Sequence, residues 1–253
     1  MGKNKLYKFA QMETFHNVFQ CSMNELHQHL SSVPEMRGNW HSRYFHNDHP
    51  ICLELGCGHG EYTVGLARMY PQRNFIGIDI KGARMWRGAK EAELTGMSNV
   101  AFLRTNIEML PYFFGPDEVS ELWITFPDPQ MKKATKRLTS TFFMERYLQF
   151  LRPESLIHLK TDSPFLYTYT REMISLNSLP LLADTDDLYA TDASLYTEAR
   201  ALQTHYEHQW LERGLTIKYL CWRPEPRSPY QEPDIDIEKD TYRSYGRNYQ
   251  TQS

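Results

Sequence analysis

The chain has 253 residues, 41% hydrophobic and 23% charged, enough apolar surface to bury a real core and too much for a chain disordered throughout. Its 28 Lys and Arg stand against 31 Asp and Glu, a formal net charge of -3, so no overall basic field exists and any nucleic-acid contact must rest on local patches. No run approaches the roughly 18 apolar residues that span a bilayer, and the opening Met1-Gly2-Lys3-Asn4-Lys5-Leu6 lacks the apolar stretch of a secretory signal, so the expectation is a cytoplasmic protein without membrane contact.

Residues 1–48 are polar, rich in His and aromatics, and read as an N-terminal arm with one possible helix in the apolar pattern of 15–30. Lys3, Lys5 and Lys8 in this arm suit either RNA contacts or a plain exposed terminus. His41, His46, His49 and Cys52 cluster in sequence without a recurring ligand spacing, and the four cysteines (Cys21, Cys52, Cys57, Cys221) form no Cys-x-x-Cys pair, so free thiols and no metal site are expected. Residues 49–224 form the central domain. There, short apolar runs at 51–55, 75–80, 100–103, 122–126, 156–159 and 217–222 read as strands, and 61–70, 83–94, 141–151 and 164–176 between them as helices. Strands alternating with helices predict an α/β, doubly wound, mostly parallel sheet, because parallel neighbours need crossover helices that then cover both faces. The acidic run at 184–192 lacks the glycine and terminal Glu of a calcium loop and reads as solvated. The tail, 225–253, combines many charges with few aliphatics and is expected to be flexible.

The first strand runs into Glu54-Leu55-Gly56-Cys57-Gly58-His59-Gly60, followed at once by a helical stretch. Alternate glycines allow a tight turn and close approach of a ligand to the backbone. Glu61 occupies the place of the third glycine in a dinucleotide fingerprint, which disfavours a pyrophosphate cradle. Glu54 suits a cofactor carrying an amino group, and Asp79, about 20 residues beyond the glycines, suits two ribose hydroxyls. Together they describe adenosine with a charged amino-acid tail, hence S-adenosylmethionine. Asn106, after the third strand, suits either the adenine edge or a helix cap.

The fourth strand opens into Phe126-Pro127-Asp128-Pro129, which locks one carboxylate between two prolines at a strand's carboxyl end, where open α/β sheets bind ligands. Lys132, Lys133, Lys136 and Arg137 follow, a local positive site suited to phosphates or a solvated face. With these residues the chain resembles the bacterial tRNA (guanine-N7)-methyltransferases. The likeness covers about 50–222 and rests on the ordered motifs Glu54 with Gly56, Gly58 and Gly60, then Asp79, Asn106, Phe126 to Pro129, Lys132, Thr161-Asp162 and Thr204-His205-Tyr206-Glu207.

The resemblance implies a Rossmann-like class I methyltransferase fold, with a seven-stranded sheet whose last strand is antiparallel, and methyl transfer to guanine 46 of tRNA. It assigns Glu54, Gly56, Gly58, Gly60, Asp79, Asn106 and Asp128 to the cofactor. It assigns Lys132, Asp162, Thr204, His205, Tyr206 and Glu207 to the tRNA or its guanine. Gln130 and Met131 replace the Trp and the Pro or His usual after Asp-Pro, and the basic stretch is about two residues shorter than the common form. Guanine N7 carries a free lone pair, so the chemistry asks for alignment rather than a base. Asp128 is the catalytic candidate, as the carboxylate that orients guanine, with Asp162 and Glu207 as acceptors for its N1-H and amino group. Tyr206 and Trp210 suit either stacking on the base or, for Trp210 above all, core packing. Either a monomer or a homodimer is compatible with the sequence. A small-molecule methyltransferase, or a non-catalytic RNA-binding subunit of the same fold, stand as alternatives.

Overall fold

The computed structural model describes residues 3–29, 31–190, 196–226 and 229–241. At its centre are β1 (Val18–Gln20), β2 (Ile51–Leu55), β3 (Asn74–Asp79), β4 (Val100–Arg104), β5 (Val119–Thr125), β6 (Leu151–Thr161), β7 (Leu181–Thr185) and β8 (Lys218–Trp222). They form one eight-stranded sheet in the order β1-β4-β3-β2-β5-β6-β8-β7. β8 runs antiparallel to its neighbours, β6 and β7. The helices are α1 (Lys3–Met12), α2 (Met23–His27), α3 (Glu61–Met69), α4 (Gly82–Leu94), α5 (Thr141–Tyr147), α6 (Pro164–Leu176), α7 (Thr197–Ala201) and α8 (His205–Glu212).

Every residue of β2 is buried, as a central parallel strand requires. Ile51, Leu53 and Leu55 enter one apolar cluster and Cys52 the other, so the two-residue period of the strand divides the core between the two faces of the sheet. From β2 the sheet grows one way through β3 and β4 and the other way through β5 and β6. The carboxyl ends of β2 and β5 thus flank the point where the order reverses, the usual crevice for a ligand in such sheets.

Strands β2 to β8 are the seven of the expected sheet, and the arm adds an eighth. β1 pairs parallel with β4, fixed by Phe102 N–H donating to Asn17 O at 2.7 Å. The helix expected within 15–30 is reduced to the short α2, and the longer helix of the arm, α1, lies before it. Trp40 is fully buried, stacks on Phe114 at 5.5 Å and donates to Phe113 O at 2.9 Å, which ties the arm into the core.

Part of the tail departs from expectation, while 227–228 and 242–253 lie outside the described residues. Residues 229–241 lie against α6: Tyr169 donates its hydroxyl to Glu232, Asp240 accepts from Ser163 and from Phe165 N–H, and Tyr230 is buried. Polar anchors and one aromatic ring order this stretch, and a count of aliphatic residues does not register them. The four cysteines are free and buried. No helix among the described residues is long and apolar enough to cross a membrane.

Candidate active site

After β2 the backbone turns through Gly56 and Gly58, whose φ values of 78° and 54° fall in the left-handed region that suits glycine. Gly56 and Cys57 donate their N–H groups to Ile78 O at 2.8 and 2.9 Å, which pins the turn to β3. A Cβ at Gly56 would meet nothing within 4 Å, and one at Gly58 only Gly56 O at 4.0 Å, so both face open space. Gly60 does not. A Cβ there would lie 2.7 Å from the Phe102 ring and 3.2 Å from the Gly88 Cα. Gly60, expected with the other two at the cofactor, is the residue that lets α3 close on α4 and β4.

A cavity of about 610 Å³ opens beside this turn, within the range of small-molecule sites. Of the expected residues, Glu54, Gly56, Gly58, Asp79, Asp128, Asp162, Thr204 and Tyr206 line it, whereas Gly60, Asn106, Lys132, His205 and Glu207 do not. Glu54 is buried on the cavity floor. One oxygen accepts from Thr63 N–H at 2.9 Å and from the Thr63 hydroxyl, and the other from the Thr125 hydroxyl at 2.8 Å. Burial lifts its pKa to about 7, against the pull of the Thr63 and Thr125 bonds, and Asp79 adds to the rise. Asp79 ends β3 and accepts from Gly58 N–H at 2.9 Å and Lys81 N–H at 2.8 Å.

The proline loop lines the same cavity. Phe126 and Gln130 take φ values of 48° and 47°, strained for side chains of their kind, and enclose Asp128 between them. Phe126 N–H donates to Lys160 O at 2.8 Å, and the Asp128 carboxylate accepts from Gln130 N–H at 3.0 Å. Pro127 and Pro129 are buried while Asp128 is exposed to the cavity. Asp162, just past β6, is buried in the same wall within electrostatic reach of Lys218.

Glu207 corrects an expectation. It is fully buried, and its carboxylate is engaged by Lys160 Nζ at 2.8 Å, the Tyr189 hydroxyl at 2.5 Å and Thr204 N–H at 3.3 Å, which leaves it unable to receive a base. It closes a capping box with Thr204 at the start of α8. Lys160 also donates to Ala199 O at 2.6 Å and Leu202 O at 2.9 Å, so one buried ammonium holds the segment that carries Thr204 and Tyr206. Burial depresses its pKa, and Glu207 pulls the other way.

His205 is exposed, with its N–H donated to Glu61 at 2.8 Å. The Asn106 side chain caps nothing, and its neighbour Ile107 lines the cavity instead. Of the four cations after the proline loop, Arg137 is buried over the Phe165 and Tyr169 rings and the other three are exposed: Lys136 lines the cavity and pairs with Glu108 at 2.5 Å, and Lys132 and Lys133 lie outside it. Arg137 is therefore a packing residue rather than a phosphate ligand. Residues not singled out from sequence are Thr63 and Thr125, which hold Glu54, and His59, Lys81 and Arg84, which line the cavity. Thr125 had a readable signal: it is the last residue of β5, the strand beside β2, at the same carboxyl end as the glycine turn. Tyr206 and His59 present rings at 6.5 Å and 17° on the cavity wall, and burial, aided by Arg84 and Arg87 against Glu61, lowers the His59 pKa.

Residues 48–220 match the family described as "Putative methyltransferase". The chain is 57% identical over 249 residues to the tRNA (guanine-N(7)-)-methyltransferase of Bacteroides thetaiotaomicron, covering 98% of this chain and 96% of that one. It is 59% identical over 243 residues to the Porphyromonas gingivalis protein of the same name, covering 96% and 99%. This chain belongs to the tRNA (guanine-N(7)-)-methyltransferase family. A member of that family is expected to share its sheet with other methyltransferases, and the solved 16S rRNA methyltransferase KamB aligns with a TM-score of 0.55 over 81% of this chain and 94% of that one, at 16% identity. That likeness concerns the fold alone.

Proposed function

We propose that this member of the family transfers the methyl group of S-adenosylmethionine to N7 of a guanine in tRNA. The observation that supports this best is that one cavity is lined by an open glycine turn, two carboxylates, Glu54 and Asp79, and the strained loop that carries a third, Asp128. The floor fits the cofactor: open space at Gly56 and Gly58 admits it against the backbone, Glu54 meets its ammonium, and Asp79 meets its ribose hydroxyls. When bound, the cofactor supplies an electrophilic methyl on a sulfonium.

The chain's own task is alignment, and holding reactants at near-attack distance can supply roughly 7–11 kcal/mol. Positive charge develops on the purine as N7 is methylated, and Asp128 is placed to stabilise it while it orients the base. Asp162 accepts from the guanine edge, and Tyr206 with His59 offers a ring platform. Incubation of the protein with cofactor labelled in its methyl group and unmodified tRNA tests this reading. Label is expected in 7-methylguanosine at position 46, the nucleotide implied by the resemblance. Label in no nucleoside, or in another one, would overturn it.

The Glu54 assignment carries a pH signature. Its carboxyl is protonated below about 7 in the free protein and then offers the cofactor ammonium no charge. The ammonium itself loses its proton above about 8, the ordinary range of an α-amino group. Cofactor affinity is therefore expected to peak between these limits and to fall towards about tenfold per pH unit on the acid side. Calorimetry from about pH 5.5 to about pH 8.5 should show both limbs in the native chain and lose the acid limb in Glu54→Gln. Linkage gives the companion sign: with the folded value raised above the ordinary 4.5, Glu54 costs the free protein stability progressively as pH rises from there to about 7.

A further inference from the structure

One face of this acidic protein carries a dense run of cations. From Lys81 to Lys90 the sequence Lys-Gly-Ala-Arg-Met-Trp-Arg-Gly-Ala-Lys holds four cations and no acid. Lys81 stands at the cap of α4 and Arg84, Arg87 and Lys90 follow at every third residue, so the last three are neighbours along one ridge of the helix, a run of about 9 Å. The ridge begins at the active-site cavity, which Lys81 and Arg84 line. The carboxylates of α4 come afterwards, and both are engaged elsewhere: Glu91 by Arg68 at 2.7 Å and Glu93 by His16 at 2.9 Å.

Helix α1 widens this face. It docks on α4 through Trp86, whose ring N–H donates to Gln11 at 2.9 Å, and through Phe9, which lies where a Cβ on Gly82 would meet it at 2.9 Å. Lys8 and Lys90 both sit over the Trp86 ring, at 4.8 and 4.9 Å. Among the described residues no ion pair engages Lys5, Lys8, Lys81, Arg84 or Lys90; Arg87 reaches Glu61 at 3.3 Å. Such crowding of like charges opposes folding. The first turn of α4 holds no acid, so its cations also face the positive end of their own helix. A polyanion laid along the face would relieve both costs.

We propose that the ridge of α4 together with α1 is the track on which the sugar-phosphate backbone of tRNA lies as its guanine enters the cavity. This rests on the proposed tRNA reading and adds the surface that holds the substrate. The track begins at the cavity mouth, runs for several nucleotides and reads phosphate rather than sequence.

The test is titration of unmodified tRNA against the full chain at several salt concentrations, for the native protein and for the triple variant Lys5→Gln, Lys8→Gln, Lys90→Gln. Calorimetry with S-adenosylmethionine shows that the variant is folded. The slope of log affinity against log salt is expected to fall by about 2, since each lost phosphate contact removes roughly 0.7–0.9. The corresponding triple Arg variant should keep the native slope. An unchanged slope in the Gln variant, with the native protein binding tRNA, would overturn the track and leave the function standing. Failure of the native protein to bind tRNA at any salt would remove both.

Discussion

Asp128→Asn is expected to lower the single-turnover rate of tRNA methylation by about 10²- to 10³-fold, the usual cost of removing one preorganised electrostatic group from a transition state. Asn is the informative replacement. The side chain of Asp128 accepts from Gln130 N–H at 3.0 Å, and an amide oxygen can keep that bond, so the loop between the strained Phe126 and Gln130 retains its shape while the charge alone is lost. Affinity for S-adenosylmethionine, measured by calorimetry, should stay within roughly threefold of the native value, because Glu54 and Asp79 remain to hold the cofactor. An Asn variant with native turnover would reduce Asp128 to a turn residue. A variant that loses cofactor affinity and rate together would move the carboxylate to the cofactor.

The parts of this molecule that could be read from sequence are those whose signal is local. The apolar runs of β2 to β5 are continuous because these strands are buried on both faces, and the glycine turn announces itself by spacing. β7 escaped because Leu181 and Leu182 are exposed at the sheet edge and the strand neither alternates nor forms a buried run. β6 begins before Pro153, a residue that reads as a stop, and the irregular pairing there, with Val119 opposite Leu151 but Glu121 opposite Leu156, absorbs it. In the site, Glu54, Asp79 and Asp128 were legible because each lies at or just past the carboxyl end of a strand beside a turn. Glu207 was not: its partner Lys160 is 47 positions away on β6, and a Glu three residues after a Thr looks the same whether it faces a ligand or a buried ammonium. Gly60 likewise shares a motif with Gly56 and Gly58, yet only packing against Phe102 and Gly88 tells the three apart.

Lys160→Met should cost about 3–5 kcal/mol of stability, read as a shift of the denaturant midpoint, because it strands the fully buried Glu207 carboxylate without its cation. Met keeps the length and apolar body of the side chain, so the loss reports the charge and its bonds rather than a cavity. Adding Glu207→Gln is expected to recover more than half of that loss: the amide oxygen can still accept from Thr204 N–H while its NH2 donates to the Tyr189 hydroxyl oxygen, and no buried charge remains. The carbonyls of Ala199 and Leu202 stay without their donor in both variants, so the segment leading to Thr204 and Tyr206 should remain loosened. In the double variant this separates stability from function, with KM for tRNA raised roughly tenfold and S-adenosylmethionine affinity close to native. Full recovery of KM along with stability would show that Lys160 acts only as the counter-ion of Glu207. A single variant as stable as the native protein would mean that the buried carboxylate takes up a proton at little cost, and the lysine would not be what holds this wall.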